Sequence, residues 1–148
     1  MTVPNCSGIS VPFTTEALKA NLERLESEWD SYQATRDRNG IYRYLNAVFE
    51  LVEWWAQERK AKEYAQQAIR LQRPPVPKIS DPFAAIIFCT ADREKIDFKM
   101  RSKLARVLRY ARVFKDADES LQDFVKARGG INKCARRYAR RLGRGASS

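Results

Sequence analysis

TTEALKANLERLESEWDSYQATRDRNGIYRYLNAVFELVEWWA, residues 14–56, decides the fold. Leu18, Leu22, Leu25, Trp29 and Tyr32 recur at spacings of 4, 3, 4 and 3, which puts them on one stripe of an α-helix. Thr14 or Thr15 is the expected N-cap, with Glu16 in the first turn, where a negative charge suits the helix dipole. The opposite side is acidic, with Glu23, Glu26, Glu28 and Asp30. Arg36-Asp37-Arg38-Asn39-Gly40 is expected to end this helix, because Asn-Gly favours a turn. A second helix is expected from about Ile41 to Leu71. It carries two adjacent apolar stripes: Tyr42, Leu45, Phe49, Val52 and Ala56, then Tyr44, Val48, Leu51 and Trp55. So wide an apolar arc belongs at the centre of a bundle or in an interface between copies. Residues 14–72 therefore read as a helical hairpin and a candidate homodimer surface.

Outward from this hairpin, residues 1–13 hold Pro4, Gly8 and Pro12 among Ser, Thr and Asn, and read as a flexible arm. On the other side, Arg73-Pro74-Pro75-Val76-Pro77-Lys78 excludes regular helix, so residues 73–80 read as a proline-rich linker. The charge changes at the same place. Up to Gln72 the chain carries 9 Lys and Arg against 10 Asp and Glu; from Arg73 onward it carries 19 against 8. The whole net charge of +10 thus resides in residues 73–148. A basic field of this kind favours a polyanionic partner, above all nucleic acid.

Residues 81–148 read as a basic helical domain. Asp81-Pro82 suits a helix start, and the apolar run Phe83 to Cys89 is expected to be a short helix, although a buried strand would have the same composition. A longer helix over about Asp97 to Phe114 repeats Met100, Leu104, Val107, Ala111 and Phe114. Lys99, Lys103 and Arg106 flank that stripe, with Arg101, Arg109 and Arg112 elsewhere on the polar arc. No Asp or Glu occurs between Phe98 and Lys115. A solvated helix ordinarily mixes signs, since opposite charges four apart stabilise it and like charges do not.

Ser120-Leu121-Gln122-Asp123 resembles a capping box, and Gly129-Gly130 a helix C-cap. A last helix is expected over Ile131 to Leu142, closed by Gly143 and followed by a tail. It would bury Ile131, Cys134 or Ala135, Tyr138 and Leu142. Lys133, Arg136, Arg137, Arg140 and Arg141 would be exposed, with Asn132 a candidate base contact near the helix start and Arg144 in the tail. Helix, glycine turn and basic helix give Leu121–Leu142 the outline of a helix-turn-helix motif, whose second helix enters the DNA major groove. Arginine suits that role, because its fork bonds guanine O6 and N7 as well as phosphate. Phe124, Ala135 and Tyr138 fall where such a motif wants apolar residues; Arg128 and Gly130 do not fit that pattern.

Other chemistries find little support. The chain has no histidine, which removes the Ser-His-Asp and Cys-His pairs and His-based zinc sites. Cys6, Cys89 and Cys134 are odd in number and form no CxxC, which argues against both zinc and a disulfide framework and fits a reducing, cytoplasmic setting. Asp92, Glu94 and Asp97, and also Asp116, Asp118 and Glu119, read as helix caps and first-turn acids rather than metal ligands. No phosphate-cradling glycine loop or cofactor motif is present. No apolar run nears the roughly 18 residues of a membrane span, and no secretory signal is seen.

The expectation is therefore an all-α, non-enzymatic, nucleic-acid-binding protein without cofactor or metal. Duplex DNA is the favoured partner and a regulator the natural role. RNA or single strands within a nucleoprotein assembly, or an acidic protein partner, are the alternatives.

Overall fold

The computed structural model describes residues 14–35, 38–72, 79–91 and 97–147, with side chains described except at 38 and 141–147. These residues form seven helices and no strand: α1 (Thr15–Thr35), α2 (Arg38–Gln57), α3 (Ala61–Arg70), α4 (Pro82–Thr90), α5 (Phe98–Phe114), α6 (Leu121–Ala127) and α7 (Ile131–Ser147). The chain is all-α, as expected. The arm 1–13, the linker residues 73–78, and Asp92 and Glu94 lie outside the described residues.

Helix starts follow the capping residues in the sequence. Ala17 N–H donates to Thr14 Oγ1 at 3.0 Å, and Met100 N–H to Asp97 Oδ1 at 2.8 Å. Phe83 N–H donates to Asp81 Oδ1 at 3.2 Å, and Asp123 N–H to Ser120 Oγ at 3.1 Å. Each satisfies a backbone donor that the first helical turn leaves open.

Three boundaries differ from expectation. The helix expected over Ile41–Leu71 is two helices, broken at Glu58-Arg59-Lys60, where Arg59 takes φ +60° and Lys60 N–H donates back to Trp55 O. The break lets α3 fold back so that Tyr64 meets Trp55 edge-on, with ring centroids 5.6 Å apart. Asn39-Gly40 is not a turn but the first turn of α2. Gly40 serves close approach instead, since a Cβ there would lie 3.3 Å from Tyr32 Cδ1 and 3.5 Å from Tyr32 Cα. The last helix continues beyond Gly143, to Ser147.

The wide apolar arc of α2 is covered from several sides. Trp29 of α1 meets Tyr44 at 5.1 Å, Phe83 of α4 stacks on Phe49 at 5.9 Å, and Lys126 of α6 lies over Tyr42. Tyr44, Leu45, Val48, Phe49, Val52 and Trp55 are accordingly buried within one chain. Trp54 is the one large apolar side chain that α2 leaves exposed. The candidate self-association surface is thus largely the chain's own core.

α4 explains the ambiguous run Phe83–Cys89. It packs against α1, α2, α3 and α5, so it is apolar all round because it is surrounded. Buried residues on both sides of the proline run join one core. Gln66 Nε2 donates to Ile79 O at 2.6 Å and ties the chain after the prolines to α3. Within this core Thr90 Oγ1 donates to Ile86 O at 2.8 Å, so the 2.7 Å bond between Tyr44 and Thr90 has the tyrosine as donor. Burial pushes the Tyr44 hydroxyl far above its ordinary pKa, more than the bond to Thr90 lowers it.

Candidate nucleic-acid interface

The terminal basic helix is positioned by a glycine pair. Gly130 N–H donates to Val125 O at 2.9 Å and Gly129 N–H to Lys126 O at 3.1 Å, the two bonds of a Schellman ending for α6. Both glycines have positive φ, +98° and +103°, which side chains other than glycine resist. The Lys133 stem lies across Gly129: a Cβ there would come within 2.5 Å of Lys133 Cδ. The chain then turns into α7 over residues 128–130, with Cys134 N–H to Gly130 O as an early helical bond.

α7 packs one face against the core. Cys134, Ala135 and Tyr138 are buried and Ile131 is partly so. Burial pushes the Cys134 thiol pKa up, against the pull of Arg137 and Arg128 in the other direction. α7 packs chiefly on α5, where Arg109 Nε donates to the Tyr138 hydroxyl at 2.9 Å.

Lys133, Arg136, Arg137 and Arg140 are exposed, as expected, and so is Asn132. Lys133, Arg136, Arg137 and Arg140 have no carboxylate partner among the described residues. Repeats three and four apart place them on one solvent-facing side. The side chains of Arg141, Arg144 and Leu142 lie outside the described residues.

The cations expected on α5 divide into two groups. Lys99 is exposed and Lys103 half-buried, and neither has a carboxylate partner among the described residues. Arg106 is half-buried and its Nη1 donates to Ser102 Oγ at 3.2 Å. Arg109 and Arg112, by contrast, pair with carboxylates of other parts of the chain. Arg109 Nη1 lies 3.4 Å from Asp81 Oδ1, at the start of α4, and Arg112 Nη1 lies 2.6 Å from Glu53 Oε2 of α2. Burial works to lower the Arg109 pKa, but Asp81 and Tyr138 outweigh it and the net shift is upward. Each of these two guanidiniums, though partly exposed, thus already has a carboxylate of this chain beside it.

Near this surface the structure shows one exposed ring and two cation–ring contacts that the sequence does not announce. Phe98, the first residue of α5, is 73 % exposed. Arg101 stacks over Phe88 at 4.3 Å, and Arg128 over Phe124 at 4.2 Å. Phe114, expected in the core stripe, is 39 % exposed because α5 ends there, while it still touches Tyr110 at 5.0 Å. The exposure of an apolar residue at a helix start, such as Phe98, is invisible to a periodicity argument, which needs several turns to define a face.

No group of three or more His, Cys, Asp or Glu that could hold a metal occurs among the described residues. Asp97 acts as the N-cap of α5, and Lys115 Nζ donates to the backbone oxygens of Asp116 and Glu119, which ties down the loop before α6. No helix among the described residues is long and apolar enough to cross a membrane. Comparison with protein-family models, with curated proteins and with solved structures finds no match for this chain.

Proposed function

We propose that the chain binds nucleic acid through the solvent face of α7, without chemistry, and that duplex DNA is its partner. The observation that carries this reading is the run Lys133, Arg136, Arg137 and Arg140, exposed and without a carboxylate partner among the described residues, on a helix that contains no acidic residue. Like charges three and four apart weaken a helix by a few tenths of a kcal/mol per pair. That cost is relieved when a polyanion sits opposite. Arginine outnumbers lysine on this face three to one, which favours forked contacts to phosphate and guanine over point-charge attraction.

α6, the turn 128–130 and α7 support a helix-turn-helix mode of docking, with α7 along the major groove and Asn132, Lys133, Arg136 and Arg137 nearest the bases. Lys99 and Lys103 of α5 supply flanking phosphate contacts. A DNA-binding regulator is the role that fits such a surface. Self-association through residues 14–72 is not part of this reading, because Trp54 is the only large apolar side chain that the described part of that segment exposes.

The test is charge reversal of three exposed residues, Arg136→Glu, Arg137→Glu and Arg140→Glu together. Affinity for a duplex at about 50 mM salt should fall by more than a hundredfold, since each lost phosphate contact removes a counterion-release contribution. The helical circular dichroism should be unchanged. Unaltered duplex binding would remove α7 from the interface. Binding of an acidic protein, and of no nucleic acid, by the unmodified chain would replace the reading altogether.

A further inference from the structure

A groove of about 460 Å³ opens beside α7, between α4 and α5. Phe88, Phe98, Arg101, Ser102, Arg106 and Tyr138 form much of its wall. Its volume lies within the range of small-ligand sites. Two of its features do not serve the fold. Phe98 turns 73 % of its surface to solvent, where an aromatic ring gains nothing from the core. Arg106 keeps its Nε–H buried, with no hydrogen-bond partner among the described residues, while its Nη1 rests on Ser102. A buried donor left unpaired is costly, and a turn of this half-buried guanidinium toward an anionic oxygen in the groove would satisfy it. Asp81 is the only carboxylate among the described residues lining the groove, and it is engaged by Arg109. Among the described residues the Arg106 guanidinium thus has no acid in the groove to pair with.

We infer that this groove holds one unpaired nucleotide, its phosphate on Arg106 and its base stacked on Phe98. The shared chemistry is a flat aromatic group joined to a phosphate, and the groove supplies one surface for each. A base within a duplex is already stacked on both faces and cannot reach a side-chain ring, so the site selects single-stranded or frayed segments. The inference rests on the nucleic-acid reading and extends it: α7 would grip duplex phosphates while the groove takes a base from a neighbouring unpaired stretch.

The experiment uses the full chain and three fluorescent probes: a short single-stranded oligonucleotide, a blunt duplex of the same length, and a phosphoserine peptide. Phe98→Ala should lower single-strand affinity about tenfold, the scale of one lost base stack, and leave duplex affinity within about twofold. Phe98 is exposed, so this variant keeps the core intact. Arg106→Gln should lose more on the single strand than on the duplex. Competition by millimolar adenosine monophosphate would identify a free nucleotide as a sufficient ligand. Its absence, with the Phe98→Ala loss present, would show that the strand is the source. Equal losses on both oligonucleotides, no loss on either, or binding of the phosphopeptide alone would overturn the inference. The two readings fail separately. If reversal at Arg136, Arg137 and Arg140 abolishes duplex binding while Phe98→Ala changes nothing, only the groove is wrong. If Phe98→Ala acts and the reversal does not, only the α7 interface is wrong.

Discussion

α1 and α7 are both amphipathic helices on the outside of one core, and they differ on both faces. Toward the core, α1 places Leu18, Leu22, Leu25 and Trp29, all large and buried, whereas α7 places Cys134, Ala135 and Tyr138. Toward solvent, α1 mixes Glu16, Glu23, Glu26 and Asp30 with Lys19 and Arg24, while α7 shows only Lys133, Arg136, Arg137 and Arg140 among its described charged side chains. In α1 opposite charges stand at supportive spacings, Lys19 with Glu23 and Arg24 with Glu28. In α7 the corresponding pairs, Lys133 with Arg137 and Arg136 with Arg140, repel. α1 is net acidic but mixes both signs, and its large buried face accounts for it through folding. Among its described side chains α7 carries positive charge alone, and that is the feature the proposed nucleic-acid partner would account for.

This contrast breaks most visibly at Trp29. It is buried and packs edge-on against Tyr44. Trp29→Ala should cost about 3–5 kcal/mol, a large part of the roughly 5–15 kcal/mol that holds a domain together, as read by urea unfolding. Trp29→Phe should cost clearly less than the alanine change. The indole N–H has no hydrogen-bond partner among the described residues, so its removal relieves a desolvation penalty. Equal losses for both variants would mean that the N–H is satisfied and that α1 is held by more than packing.

A smaller effect is expected where α7 joins the bundle. Gly130 has φ +103°, and a Cβ added there would meet nothing within 4 Å, so alanine encounters only backbone strain. Gly130→Ala should destabilise by about 1–2 kcal/mol. A change below about 0.5 kcal/mol, typical of an unconstrained surface site, would show that α7 does not depend on the glycine turn for its placement.

The smallest effect tests the acidic face of α1. The Glu26 carboxyl is held above the ordinary carboxylate pKa, first by burial and then by Asp30 and Glu23. A raised carboxylate pKa means that the folded state binds the proton more tightly than the unfolded state. Stability is then lost as pH rises through the carboxylate range. Glu26→Gln should therefore unfold at a slightly higher temperature than the parent at pH 7. That margin should vanish as pH falls below the ordinary value of 4.5. A variant less stable at pH 7 would show that the Glu26 charge has a favourable partner.

Much of this fold is legible in the sequence because its signals are local. Thr14, Asp81, Asp97 and Ser120 announce their helices, and Gly129-Gly130 announces the end of α6. The break at Glu58-Arg59-Lys60 is not announced, since arginine takes a left-handed conformation that sequence would assign to glycine or asparagine. The roles of Arg109 and Arg112 are also hidden. Their partners Asp81 and Glu53 are distant in sequence, and only the packing of α4 and α2 against α5 brings them close. Local pattern shows that a face is basic; which of its cations remain available depends on the tertiary arrangement.

The most direct measurement is the fluorescence anisotropy of a labelled random duplex with the full chain, titrated between about 50 and 200 mM salt. Four phosphates neutralised by Lys133, Arg136, Arg137 and Arg140 should make affinity fall about a hundredfold or more across that range. No binding at the lowest salt, or an affinity that stays flat as salt rises, would contradict a nucleic-acid interface on α7.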